Sequence, residues 1–468
     1  MPSFIKALGL WDVVAMNIVA VVGLRWIARS ARLGAPSVTL WVLACVAFFV
    51  PLAVAVSRLA ERYPEQGGIY VWARRAFGPV HGFVCGWCVW VNNMFYFPSL
   101  LLFAAANLPL ALGIGDAAAL AENRVYSVAF VLVVLWGLVA LNVIGLTRGK
   151  HVQNVGSYAT FVPAALLIAF GAVAFWRFGS ATSFAPAELW PREDVLSTVS
   201  LWSAMCFGFS GFEITSLVGQ EVRNAERTIP RGILIAGFFV MAIYIAGSTS
   251  VLVALPPEAL AERSGISDAV ELVSARLGLA GFGVLTALLL VIGSIGGTSS
   301  WIAGAARVPF AAGVDHVLPR SFAALHPKYR TPHVSLLVQG IVTTVVFLVS
   351  VFLTVGGRST IQEAYDILVN LTILIYFVPY LYLFAAFIKL LRPGVAASAA
   401  ALLGFAATTV SLALLFVPPS GTGNVLNYEV NLIGQALVIV GIGGILFWRS
   451  RTAADPALDT TQAGPRPS

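Results

Sequence analysis

"NIVAVVGLRWIARSARLG", residues Asn17 to Gly34, starts as an apolar membrane span and then sets Arg25, Arg29 and Arg32 along one stripe of it. The apolar run into Val22 suits a helix entering hydrocarbon. Gly23 weakens that helix by about 1 kcal/mol relative to alanine. An arginine at mid-depth costs about 2.5 to 3.5 kcal/mol on insertion scales, unless a partner or a wet cavity relieves it. Glycine followed by charge at mid-membrane therefore reads as two half-helices joined near Gly23, with Arg25 facing a cavity or a partner and not lipid.

The rest of the chain fits this setting. Of its 468 residues 59% are apolar and 10% charged, with a mean hydropathy of +0.89, whereas a soluble domain carries about 25% charged residues. Continuous apolar runs of about 20 residues, without alternation, predict helices and not barrel strands. The expected fold class is an all-α integral membrane protein of twelve spans, at about 10–33, 36–60, 81–112, 124–145, 152–177, 196–221, 230–254, 281–312, 333–354, 362–391, 396–417 and 428–449. Lys6 precedes the first run without a small-residue cleavage site, so that run reads as a retained helix. With both termini placed in the cytoplasm, most of the 28 basic residues gather on the cytoplasmic side, as the positive-inside rule requires. The net charge of +7 is thereby explained without nucleic acid.

A second weak point lies in "FGFSGFE", Phe207 to Glu213, where Gly208, Ser210 and Gly211 interrupt the sixth span. Breaks in the first and sixth spans fall at matching places in two halves of five. That is the layout of secondary transporters, whose unwound backbone serves a substrate at the midplane. The bland alternative is that these glycines let helices pack closely. The chain has no H-E-x-x-H, Walker loop, G-x-S-x-G or dinucleotide fingerprint, so an enzyme is not expected. Cys85 and Cys88 form a lone C-x-x-C inside an apolar run and read as packing, with no metal implied. All 5 histidines and the lysines fall near cytoplasmic helix ends, which leaves Asp12, Arg25 with Arg29 and Arg32, Glu213 and Asp366 as the ionisable groups within spans.

Longer stretches carry a resemblance. "YPEQGGIYVWARRAFGP" after span 2, "FGFSGFEITSLVGQEVRNAERTIPRGI" across span 6, "GSIGGTSSWIAGAARVPFAAGVDHVLPRSF" across span 8 and "HPKYRTPHVSLLVQG" before span 9 resemble the amino acid-polyamine-organocation (APC) transporters, over nearly the whole chain. "FVPPSG" is similar to the glutamate:GABA antiporter branch, and "WVNNMFYFPSLLLF" in span 3 to polyamine and amino acid permease branches. The resemblance implies two inverted five-helix repeats plus two helices. The corresponding divisions are 1–8 as a cytoplasmic N-terminus, 9–178 and 179–392 as the repeats, 393–449 as helices 11 and 12, and 450–468 as a disordered cytoplasmic tail.

It also implies roles at matched positions. Gly23, Asn92, Asn93, Tyr96, Phe207, Phe209, Ser210, Gly211 and Thr298 are the candidate substrate-binding residues, with Phe207 as the gating aromatic. Glu213 either binds the coupling proton or braces the broken helix against span 1 or 3. Ala20, Val21 and Val22 stand where family members carry a G-S-G stretch that holds a substrate carboxylate. Thr298 and Ser299 resemble the hydroxyl pair of sodium-coupled relatives, so the coupling ion is a proton or sodium, and no other cofactor is expected. "GLRW" is similar to the neurotransmitter:sodium symporters, in which an arginine pairs with an aspartate of span 10. Arg25 and Asp366 are the matching outer gate, with Arg29 and Arg32 lining a vestibule. The expected function is secondary transport of an amino acid across the cell membrane, by proton symport or exchange. A polyamine substrate, sodium coupling and a non-transporting nutrient sensor are the alternatives, and the expected partners are a small-molecule substrate and the lipid bilayer.

Overall fold

A computed structural model of the chain describes residues 9–64, 67–144, 146–191, 199, 201–217, 222–257, 265–309, 318–352, 360–417 and 425–453. Residues 1–8, the tail beyond Ala453 and the Pro418–Gly421 part of "FVPPSG" lie outside the described residues.

The elements in chain order are α1 (Leu10–Val21), α2 (Leu24–Ala31), α3 (Pro36–Ala44), α4 (Val50–Arg62), α5 (Ile69–Phe77), α6 (Pro79–Ala111), α7 (Ala117–Glu122), α8 (Arg124–Ile144), α9 (Leu146–Phe178), α10 (Trp202–Gly208), α11 (Ile214–Leu217), α12 (Ala225–Ala254), α13 (Gly265–Arg276), α14 (Phe282–Ala305), α15 (His333–Phe352), α16 (Ile361–Leu391), α17 (Val395–Leu414) and α18 (Val425–Ala453).

Among the described residues nine helices are long and apolar enough to cross a membrane. They coincide with nine of the twelve predicted spans. Of the other three, the first and sixth are each split into two short helices, α1 with α2 and α10 with α11, so neither offers one long helix. The last is α18, whose apolar stretch runs over Leu432–Ile445. The Trp87 indole of α6 donates to the Ile439 carbonyl at 3.1 Å and ties α18 to the bundle.

Pro51, one residue into α4, lacks an N–H for the preceding turn. A π-helical turn at Cys45–Phe49 joins α3 to α4 there, the kind of local adjustment that accommodates an irregular position in a long helix. It delivers Phe48 and Phe49 to the core, Phe48 edge-on to Tyr380 at 5.5 Å and Phe49 stacked with Phe209 at 5.2 Å. On the opposite side α14 packs against α9 and α6. A Cβ on Gly156 would lie 2.5 Å from the Gly296 Cα, so these two glycines let α9 and α14 cross nearly backbone to backbone. Asp12, one of the ionisable residues within spans, accepts the Gly9 N–H at 2.8 Å and serves the start of α1.

Candidate functional site

The two breaks meet at one tyrosine. Val22 and Gly23 are extended between α1 and α2, and the residues after Phe209 pass through Gly211 at φ +108° before α11. A side chain at that φ is strained, so glycine suits the turn. Gly23 donates its N–H to the Tyr244 hydroxyl at 3.0 Å. That hydroxyl lies 2.7 Å from the Val21 carbonyl and 2.9 Å from the Gly208 carbonyl, with one proton for the two. Tyr244 is fully buried and stacks on Trp41 at 4.4 Å.

A cavity of about 20 Å³ lies between the breaks. The end of α1 (Ala20, Val21), Trp26 of α2, Asn92, Asn93 and Tyr96 of α6, Phe207, Ser210 and Gly211 of the second break, Trp301 of α14 and Tyr376 of α16 line it. Asn93 donates to the Val89 carbonyl of its own helix at 2.8 Å. The carboxamide oxygens of Asn92 and Asn93 are covered by neighbouring atoms and have no hydrogen-bond donor among the described residues, while both residues line the cavity. Phe207 sits edge-on to Trp26 at 5.3 Å and to Tyr376 at 5.8 Å, a place from which it can close the site.

A second cavity, of about 40 Å³, shares Tyr96 and Trp301 with the first and is lined by Gly23, Leu24 and Arg25. The two shared rings stand 5.9 Å apart and mark the boundary between the cavities. Six of the candidate substrate-binding residues, Asn92, Asn93, Tyr96, Phe207, Ser210 and Gly211, therefore come together at the first cavity, and Gly23 joins Tyr96 at the second.

The structure places other candidates elsewhere. Phe209 lines neither cavity. It is fully buried against Trp41, Phe49 and Tyr244 on the far side of the break, because residues two apart on a helical turn point in nearly opposite directions. Thr298 donates to the Ser294 carbonyl at 2.8 Å, and Ser299 accepts from Asn142 at 3.3 Å. Neither residue is among those that line the two cavities.

Asp366 pairs with Arg29, at 3.4 Å, and not with Arg25. The correction is one helical turn, since Arg29 follows Arg25 by four residues on α2 and is the one level with Asp366. Arg29 also reaches Asn370 at 3.5 Å. It is 4% exposed and so does not line an open vestibule, whereas Arg32 is exposed. Arg25 is 1% exposed, donates to Ser99 Oγ at 2.9 Å and lies over the Trp26 and Tyr96 rings at 4.5 and 4.8 Å.

Glu213 turns to α16 rather than to span 1 or 3. It accepts from the Tyr376 hydroxyl, and from Tyr380 at 3.1 and 3.0 Å. Tyr380 in turn accepts the Gly211 N–H at 2.9 Å. Tyr244, Tyr376, Tyr380, Ser99, Trp26 and Trp301 went unrecognised in the sequence. A signal for some of them was present, because Gln362, Asp366, Asn370, Tyr376 and Tyr380 recur at helical spacing along one span.

The sequence profile of the amino acid permease family matches residues 8–443. An uncharacterized transporter of Legionella pneumophila is 30% identical over 93% of this chain and 96% of its own length. A probable agmatine/putrescine antiporter of Lactococcus lactis is 25% identical, over 78% of this chain and 75% of its own length. A glutamate/gamma-aminobutyrate antiporter of the same organism is 24% identical, over 80% and 76%.

Proposed function

The chain belongs to the amino acid permease family, and from that premise we propose that it moves an amino acid across the cell membrane by alternating access, coupled to protons or by exchange. The observation that carries this reading is the meeting of both helix breaks at one small cavity, with Tyr244 bonded to each break. Unwound backbone at two facing breaks is what lets half-helices rock around a fixed site. A cavity of about 20 Å³ has room for little more than a water, so substrate entry requires those half-helices to move.

Glu213 is our candidate for the coupling site. Tyr376 donates to it and also lines the cavity. A proton arriving on the carboxylate would be donated to the Tyr376 oxygen, turning the tyrosine's own O–H toward the cavity. Protonation would thereby change the hydrogen bonds offered to substrate. Sodium is the alternative ion, because the Thr298 oxygen, which donates its proton to the Ser294 carbonyl, and the Ser299 oxygen, which accepts from Asn142, each keep a lone pair for a cation. The agmatine/putrescine relative raises a polyamine substrate as the second reading. A di-cation needs buried carboxylates as partners, and among the described residues none lines either cavity.

Uptake of labelled amino acids and putrescine into proteoliposomes, with proton and sodium gradients imposed separately, tests the reading. Amino acid uptake is expected, with accumulation driven by the proton gradient unless transport runs by exchange. If the proton gradient drives wild-type accumulation, Glu213→Gln should keep exchange and lose that accumulation. Putrescine uptake without amino acid uptake would overturn the substrate assignment, and sodium-driven uptake would overturn the proton.

A further inference from the structure

Resting on that transporter reading, we propose that the Arg25 guanidinium binds the substrate's carboxylate in the second cavity. Arg25 is enclosed, at 1% exposure. Its Nη1 donates to Ser99, whose hydroxyl donates onward to the Tyr96 carbonyl at 2.8 Å. Its Nε and Nη2 have no hydrogen-bond acceptor among the described residues. The flanking Trp26 and Tyr96 rings attract the cation. The two N–H groups are covered by neighbouring atoms, and because the side chain borders the second cavity, a substrate carboxylate reaches them when the half-helices move. The described acid nearest in role, Asp366, is taken by Arg29.

A buried charge without a counter-charge is expensive, and among the described residues no acidic side chain lines the cavity beside this one. Its volume of about 40 Å³ has room for about three water-sized groups. The counter-ion is therefore brought in, and a carboxylate matches the planar fork of a guanidinium through two parallel hydrogen bonds. The first turn of α2 (Gly23, Leu24) opens on the same cavity, and its positive end adds to the attraction.

Across the Tyr96–Trp301 boundary lie the unpartnered oxygens of Asn92 and Asn93. They suit an ammonium group. One substrate can thus present its amine to α6 and its carboxylate to Arg25, whereas a polyamine would bring a cation to a cation. The carboxylate is either the α-carboxylate or one on the side chain; both meet the same fork.

The test is ligand binding to the purified full chain in nanodiscs, followed by tryptophan fluorescence, since Trp26 and Trp301 line the site. The probes are the standard amino acids, γ-aminobutyrate, alaninamide and putrescine, with flux of the same solutes measured in parallel. Carboxylate-bearing probes should bind at least about tenfold tighter than alaninamide and putrescine. Arg25→Gln should weaken them by about 10- to 100-fold, as expected for a lost charged hydrogen bond. Arg25→Lys should recover part of that loss, and gel filtration checks that both variants fold. Equal losses for alanine and glutamate assign the α-carboxylate, and a loss confined to glutamate assigns the side chain.

The wild-type comparison needs no variant. Alaninamide or putrescine binding as tightly as the acids, or no binding by any acid, overturns the proposal, as does unchanged acid affinity in Arg25→Gln. Tight acid binding without flux would remove the transporter reading and leave the Arg25 site. Flux with unaltered Arg25→Gln affinity would do the reverse.

Discussion

Tyr244 serves three backbone groups with one hydroxyl, and that economy makes it the residue on which the two breaks depend. A broken helix leaves N–H and C=O groups that water cannot reach in a membrane core. Gly23 N–H, the Val21 carbonyl and the Gly208 carbonyl are such groups, and all three point at the Tyr244 oxygen. Replacing it by phenylalanine keeps the ring that stacks on Trp41 and removes only the hydroxyl. Unsatisfied buried groups cost about 1 to 3 kcal/mol, so Tyr244→Phe should unfold at lower temperature in detergent and transport more slowly. Thermal unfolding by intrinsic fluorescence, run beside the uptake assay, checks this. Wild-type stability and rate in the variant would mean that the breaks are held together by packing alone.

The broken helices were legible in the sequence as elements, because glycine and charge at mid-span are local signals. Gly23 before Arg25, and Gly208 with Gly211 before Glu213, marked both breaks. Their partners were not legible, because partnership depends on how far one helix slides past another. Arg25 and Arg29 are separated by one turn, about 5.4 Å, and no pattern within α2 says which of them is level with Asp366 on α16. The same uncertainty hid Tyr376 and Tyr380 as the partners of Glu213, although the polar stripe along α16 was there to read. A double-variant cycle measures the assignment directly. Arg29 and Asp366 side chains are 5% and 26% exposed, so solvent screens the pair only in part, and a coupling of about 1 kcal/mol is expected. Arg29→Gln combined with Asp366→Asn should thus destabilise by less than the two single changes added. Arg25→Gln with Asp366→Asn should be additive. Coupling in the second pair and additivity in the first would restore Arg25 as the gate partner.

At the scale of the whole molecule, twelve spans return the chain to the side on which it began, and the distribution of basic residues decides which side that is. Short loops rich in lysine and arginine stay in the cytoplasm. His326, Lys328 and Arg330, between α14 and α15, should then be cytoplasmic, while Ser180, just beyond α9, should face outward. The chain is suited to testing this by cysteine labelling, because its native thiols, Cys45, Cys85, Cys88 and Cys206, are all buried and should react slowly with a charged maleimide. Ser180 and Lys328 are both exposed, and each is separated from the candidate site by at least half a membrane thickness in the predicted topology, so a cysteine at either place reports orientation with little disturbance of transport. Ser180→Cys should label in intact cells with a membrane-impermeant reagent, and Lys328→Cys only after permeabilisation. The reverse pattern would invert the protein. The Arg29–Asp366 pair would then close the cytoplasmic side of the cavity, and substrate release, not substrate entry, would be the step that its loss disturbs.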